Sequence, residues 1–274
     1  MRRIIIFTDL DGSLLDPGSY SFEPAKEALS DIHKRGAALI LVSSKTRAEV
    51  EPLQLRLHLC DPFIVENGGA LYVRKGYFPF AVDAAAIQER YEVLALGTPY
   101  PRLRAALKEI SDDLGCRLRG IGDCSLEEVA RLTGLPLAEA RLATQREYDE
   151  PFIVDGRDVS WDRLVKAAQD RNLQCTRGGR FYHLMGTNDK GAASRRLLEC
   201  YRRLAQEDGR SLLTIGVGDS LNDLPMLASV DYPILVQKPD GSYDPDVQLP
   251  HLIRAVGVGP VGWNRSLLDL LSTL

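Results

Sequence analysis

The sequence has no excess of basic residues: 34 lysines and arginines stand against 38 aspartates and glutamates, a net charge of −4 over 274 residues. Without a positive field there is no long-range attraction for nucleic acid or an anionic membrane, so neither is expected as a partner and basic residues must act locally. Long apolar runs are also missing near the start. The stretch from Ile4 meets Asp9 after five apolar or hydroxyl residues, too soon for a secretion signal or a membrane span, and a cytoplasmic protein is expected. Cysteine is sparse. Cys60, Cys116, Cys124, Cys175 and Cys200 are scattered, odd in number and without a C-x-x-C pair, which argues against a disulfide framework or a zinc site and for free thiols in a reducing compartment. There is no repeat, heptad or low-complexity tract. What remains is an ordinary globular composition, 45% apolar and 26% charged, long enough for one large or two medium domains.

Acids stand where buried strands should end. The apolar run Arg3 to Thr8 stops at Asp9-Leu10-Asp11-Gly12-Ser13, and Ser211 to Val217 stops at Gly218-Asp219-Ser220-Leu221-Asn222-Asp223. In an open parallel sheet the crevice beyond the carboxyl ends of the strands collects ligands. Asp9 and Asp11 share strand parity, so both face one way if the extended backbone continues. Neighbouring carboxylates repel unless a cation joins them, and their oxygens suit magnesium. Gly12 permits a sharp turn with backbone N–H groups near an anion. An Asx-rich turn is the alternative reading of the first cluster, and a favourable helix start is that of Asp223. A third strand, Ala37 to Val42, closes on Ser43-Ser44-Lys45-Thr46, whose hydroxyls and ammonium suit a phosphate. Lys190 opens a helix-like segment, where a cation opposes the macrodipole and an anionic partner is therefore expected.

Strands and helices alternate through residue 65 and again after Lys190, a βαβ pattern. Ala70 to Val73 and Tyr77 to Phe80 around Arg74-Lys75-Gly76 read as a hairpin. The middle of the chain changes character, so the expected organisation is a core from residues 1–82 and 188–274 with residues 83–187 inserted as a second unit.

Asp9-x-Asp11-Gly12-Ser13, Ser43, Lys190 and Gly218-Asp219-x-x-Asn222-Asp223 occur in the order of the four motifs of the haloacid dehalogenase superfamily, which the chain resembles. Ser13 stands where threonine is commoner, and Ser43-Ser44-Lys45-Thr46 replaces the usual threonine-glycine-arginine run. Four stretches are similar to the mannosyl-3-phosphoglycerate phosphatases: Ser43 to Glu49, Glu66-Asn67-Gly68-Gly69, and the cap segments from Leu132 to Phe152 and Thr176 to His183. The resemblance implies an α/β fold: a Rossmann-like parallel-sheet core with an inserted α+β cap of the large C2B type. It also implies a magnesium-dependent phosphatase that converts 2-O-mannosyl-3-phosphoglycerate to mannosylglycerate, a compatible solute, through an aspartyl-phosphate.

By that resemblance Asp9 is the nucleophile and Asp11 the acid and base. Magnesium is bridged by Asp9, the main-chain carbonyl of Asp11 and Asp219, with Asp223 and Asn222 orienting metal-bound water or a neighbour. Ser43 and Lys190 hold the phosphoryl oxygens, with Ser44 the alternative to Ser43, and Gly12, Ser13 and Lys45 lie beside them. Asn67 and Gly68 touch the ligand or steady the hinge. Arg177-Gly178-Gly179-Arg180 can grip a carboxylate bidentately, or form a solvated turn. His183 is a ligand contact or a core-edge histidine, and Arg146 to Glu150 a sugar site or a solvated face. The expected partner is a small phosphorylated glycoside. The glucosyl analogue, a broader range of sugar phosphates, phosphate transfer to a second sugar, and a non-catalytic phosphosugar-binding regulator are the competing functions.

Overall fold

The structure is a computed structural model that describes residues 2–156, 159–178 and 181–274. In chain order its elements are β1 (Arg2–Thr8), α1 (Lys26–Lys34), β2 (Ala38–Val42), α2 (Arg47–Arg56), β3 (Phe63–Val65), β4 (Ala70–Arg74), β5 (Ala86–Gln88), β6 (Tyr91–Ala95), α3 (Tyr100–Leu114), β7 (Arg117–Gly120), α4 (Leu126–Thr133), α5 (Leu137–Ala143) and β8 (Asp149–Asp155). These are followed by α6 (Trp161–Gln169), β9 (Gln174–Gly178), β10 (Phe181–Met185), α7 (Lys190–Glu207), β11 (Ser211–Gly218), α8 (Leu224–Leu227), β12 (Tyr232–Gln237), β13 (Ile253–Val258) and α9 (Pro260–Ser272). Among the described residues no helix is long and apolar enough to cross a membrane, and all five cysteines are free.

Nine strands form the main sheet in the order β13-β12-β11-β1-β2-β3-β4-β6-β5. The six from β13 to β3 are parallel, and β4, β6 and β5 run antiparallel at one edge. Every residue of β2 is buried, as expected for a parallel strand covered on both faces. Alternate residues of β1 serve the two layers: Ile6 packs with Leu39, Leu41 and Trp263, whereas Ile5 and Phe7 pack with Ile40, Val42 and Tyr201. Thr46 starts α2 through a reciprocal capping box with Glu49.

A separate four-stranded antiparallel sheet, β7-β8-β10-β9, forms the cap. One face is covered by α3 and α6, through Leu103, Leu107 and Leu164 against Leu118, Phe152 and Leu184.

Two boundaries differ from the sequence reading. Strand β4 pairs with β6, not with residues 77–80: Pro79 cannot donate to a ladder, and Tyr77 and Phe78 instead meet Tyr201 edge-on. Because β5 and β6 belong to the core sheet, the hydrogen bonding moves the first crossing into the cap from residue 83 to the segment after Ala95. The three exposed residues of β5 explain why that edge reads as a linker.

Candidate active site

Strand register brings the acids together. Thr8 of β1 lies opposite Val217 of its neighbour β11, and the Asp9 N–H donates to the Val217 carbonyl at 2.9 Å, so Asp9 and Asp219 leave adjacent strands at the same edge. On the other side of β1, β2 delivers Ser43, and β3 beyond it delivers Glu66 and Asn67. All emerge at the carboxyl end of the parallel strands. Trp263 anchors this edge by donating from Nε1 to Thr8 Oγ1 at 2.9 Å.

Lys190, at the first position of α7 and only 1% exposed, donates to Asp9 Oδ1 and Asp223 Oδ1, each at 2.6 Å. Burial works against its charge, but Asp223 and Asp9 outweigh burial and push the ammonium's pKa above the ordinary value, so it stays a cation. Burial also pushes Asp9 well above the usual carboxylate range, with Lys190 pulling the other way. Asp219 is pushed up to about 7, by burial first and by Asp223 second.

Asp9, Asp219 and Asp223 each offer a carboxylate oxygen within 4.8 Å of the others. The three are not equivalent. Asp223 spends Oδ1 on Lys190 and Oδ2 on the N–H groups of Asp219 (3.0 Å) and Ser220 (3.2 Å), so it brackets the loop. Among the described residues Asp9 keeps Oδ2 free, and the Asp219 carboxylate is engaged only by Ser220 Oγ at 3.1 Å. Three buried or half-buried carboxylates with oxygens this close are a donor set that a hard divalent cation such as magnesium fits. Gly12, at φ +85°, makes room: a Cβ there would sit 2.8 Å from Asp219 Oδ2.

Asp11 turns away from this cluster. The chain does not stay extended past Thr8, and Asp11 Oδ2 pairs with Lys45 Nζ at 3.0 Å while Oδ1 has no partner among the described residues. The carboxylate of Asp11 is therefore not a member of the acidic cluster, contrary to the shared-parity expectation. Ser13 is fully buried with its hydroxyl unpartnered, inside the loop. Ser43, also buried, accepts from Lys45 N at 3.1 Å and retains a hydroxyl proton to donate; Ser44 offers its carbonyl to Arg146 Nη1 at 2.8 Å.

The core meets the cap through a cluster the sequence signalled only in part. Glu66, wholly buried, accepts from the N–H groups of Glu147 and Tyr148, at 2.9 Å and 2.8 Å, and burial pushes its carboxyl up to about 7. Asn67 donates from Nδ2 to Asp149 (3.2 Å) and accepts at Oδ1 from Asn222 (3.3 Å). Gly68, at φ +86°, cannot carry a Cβ, which would lie 2.2 Å from the Asp189 carbonyl oxygen. Asn222 thus ties the acidic loop to the cap contact.

His183 Nδ1 lies 2.9 Å from Asp149 Oδ2. Tyr148, Asp149 and Glu150 are buried, so the run at 146–150 is no solvated face. The sequence reading gave no role to Glu66, nor to Asn188, whose Nδ2 donates to the Asn67 carbonyl at 3.3 Å. Asp149 entered that reading only as part of the run Arg146 to Glu150, given as a sugar site or a solvated face; two successive acids ahead of Pro151-Phe152 in an apolar strand were the signal that singles it out.

Arg177 is not brought to the site. It stands opposite Tyr182, which stands opposite Phe152, and opposed residues share a face. That face is the helix-covered one: the Arg177 guanidinium lies 5.4 Å over both the Trp161 and Tyr182 rings. Gly178 ends β9, and Gly179 and Arg180 fall outside the described residues. A hollow of about 850 Å³, lined by Lys26, His33, Arg56 and His58 among others, lies between α1 and the end of α2, outside the acidic cluster.

Residues 6–87 match the family model of haloacid dehalogenase-like hydrolases. The chain is 44% identical over 267 residues to the glucosyl-3-phosphoglycerate/mannosyl-3-phosphoglycerate phosphatase of Methanococcoides burtonii, covering 97% of each chain. It is 38% identical to the mannosyl-3-phosphoglycerate phosphatase of Pyrococcus furiosus, covering 85% of this chain and 90% of that one. A phosphatase of the haloalkanoate superfamily from Bacteroides thetaiotaomicron has the same fold, with a TM-score of 0.68 at 14% identity over 100% of this chain and 96% of that one. On this full-length similarity, and with the four motifs assembled at one sheet edge, the chain belongs to the mannosyl-3-phosphoglycerate phosphatase family of haloacid dehalogenase-like hydrolases and is a phosphoric monoester hydrolase.

Proposed function

We propose that the protein hydrolyses the 3-phosphate of glycosyl-3-phosphoglycerates, both mannosyl and glucosyl, in the cytoplasm, with magnesium as cofactor. The observation that carries the reading is Asp9 and Asp219 at adjacent strand ends with Lys190, at the start of α7, bonded to Asp9. Acceptance of both sugars is supported by the name of the Methanococcoides burtonii relative, which carries both.

Phosphate monoesters resist hydrolysis strongly enough that a covalent relay is an advantage. Asp9 attacks phosphorus through its free Oδ2 and forms an aspartyl-phosphate. Asp11 gives a proton to the departing glycerate oxygen and takes one from the water that follows. Lys190 steadies the nucleophile and the phosphoryl oxygens, and the Ser43 hydroxyl donates to the latter. Asp9 and Asp219, with the main-chain carbonyl of Asp11, would hold magnesium, which when bound supplies neutralisation of the charge between nucleophile and phosphate. Asp223 holds the loop and Lys190 in place. A regulator that only binds phosphosugars would not require a nucleophile and an acid.

The test is phosphate release from mannosyl-3-phosphoglycerate, glucosyl-3-phosphoglycerate, 3-phosphoglycerate and simple hexose phosphates, with magnesium and with chelator. Preference for the two glycosides, abolished by chelation and restored by magnesium, is expected. Equal rates across the panel would overturn the substrate assignment, and full activity in chelator the metal assignment.

A further inference from the structure

The two faces of the cap sheet do different work. Register places Phe152, Tyr182 and Arg177 on the face covered by α3 and α6, and Pro151, His183 and Thr176 on the other. Asp149, two residues before Pro151 in β8, shares the second face. That face is turned to the core, because Asp149 accepts a hydrogen bond from Asn67. Asn67 in turn is bonded to Asn222, the neighbour of Asp223 in the acidic loop. His183 therefore stands on the core-facing side of the cap, with Asp149 and Asn67 between it and the acidic loop.

Asp149 is fully buried, and both its oxygens lie within 3.1 Å of His183 Nδ1. A carboxylate accepts only, so Nδ1 carries the hydrogen. This fixes the ring plane and leaves Nε2 at the far end of the imidazole, without a partner among the described residues. In the neutral ring Nε2 is then an acceptor. A phosphate or the glycerate carboxylate would fit here only against a protonated ring, whereas a hydroxyl, which both donates and accepts, fits Nε2 in either form. The sugar hydroxyls of a glycoside are neutral donors.

We propose that His183 Nε2 accepts a hydrogen bond from a hydroxyl of the substrate's sugar, and that Asp149 is the positioning residue that aims it. This rests on the glycosyl-phosphate reading above. Asn67 bonds Asp149 from the core side, so the carboxylate that aims the histidine is also a contact between cap and core, which links sugar recognition to the docked cap.

The two ends of the imidazole can be tested separately with the variants His183→Asn and His183→Gln. An asparagine side chain places its amide near the position of Nδ1, whereas the longer glutamine places its polar end near Nε2. The measured quantity is the ratio of kcat/KM for mannosyl-3-phosphoglycerate to that for an aryl phosphate, with thermal melts to establish that each variant is folded. His183→Asn is expected to lower the ratio about tenfold or more, and His183→Gln by less than about threefold. Asp149→Ala should resemble His183→Asn, Asp149→Asn should recover part of the loss, and the double variant of Asp149→Ala with His183→Asn should lose no more than either alone. Equal losses in His183→Asn and His183→Gln, or additive losses in the double variant, overturn the assignment. A wild-type preference for the glycoside that survives in every variant overturns it while leaving the substrate reading intact; absence of that preference in the wild type overturns both.

Discussion

Replacing Lys190 with methionine tests whether the centre of the site is held by a buried ion triad. The side chains have similar length, so the change removes the charge with little loss of volume. It leaves Asp9 and Asp223, each 2.6 Å from the lost ammonium, as buried carboxylates facing each other. Breaking a buried pair by removing one partner costs about 3–5 kcal/mol, a large part of the roughly 5–15 kcal/mol that holds a domain folded. The sign of the pH dependence follows from the direction of the shifts. Without Lys190 the Asp9 carboxyl is pushed further above its unfolded value, so the folded state takes up a proton that the unfolded state does not, and the variant loses stability as pH rises through that window. Urea unfolding in chelator should show the loss in full at pH 8 and a smaller loss at pH 5, at an unchanged dependence on denaturant. kcat should fall at least about 100-fold, as expected when a transition-state donor is removed. Arginine should not rescue, because a planar fork does not fit a pocket closed around a point charge. A loss under about 1 kcal/mol at pH 8, the level of a surface ion pair, would refute the reasoning, as would equal losses at the two pH values.

Three further outcomes are expected. Glu66→Gln should gain stability relative to wild type as pH rises from about 5 to 8, because a carboxyl raised from its ordinary value to about 7 costs the folded state up to about 3 kcal/mol once ionised; parallel melting curves at both pH values would contradict this. Gly68→Ala should destabilise by at least about 2 kcal/mol and expose the cap linkers to protease, since both its positive φ and the Asp189 carbonyl oxygen oppose a Cβ; a melt unchanged within about 0.5 kcal/mol would mean the segment relaxes freely. Asp219→Ala should raise the magnesium concentration needed for half-maximal activity at near wild-type stability, whereas Asp223→Ala should lower stability first, because Asp223 is bonded to Lys190 and to two loop N–H groups; a metal titration beside a melt separates the two roles.

The core site was legible because strand ends are visible in a sequence. An apolar run that stops at an acid gives the place, and parallel order gives the neighbour: Asp9 and Asp219 meet because β1 and β11 pair. What the run could not give was the path after the strand. Asp11 has the parity of Asp9, yet Leu15 N–H bonds the Leu10 carbonyl at 2.8 Å and closes a tight loop that carries the Asp11 carboxylate to Lys45. The division of labour among three acids was likewise hidden, since it depends on which oxygens the backbone N–H groups and Lys190 consume.

The cap was harder for a related reason. In a β-sheet, moving one residue along a strand moves the side chain to the opposite face, so function there turns on parity that composition does not reveal. Arg177 and its glycines have the chemistry of an anion grip, but Arg177 is opposed to Tyr182 and falls on the aromatic, helix-covered face. His183, one residue beyond Tyr182, falls on the other. The acidic run at 146–150 misled in the opposite direction: its charges suggest solvent, but distant segments supply its partners. Asp149 is met by Asn67 and His183, and the backbone of Glu147 and Tyr148 is met by Glu66. A cap docked out of register would leave these groups buried without their bonds. The same contacts that conceal the site from a linear reading therefore fix the register of the docked cap, and through Asn67 and Asn222 they tie it to the loop that carries Asp219 and Asp223.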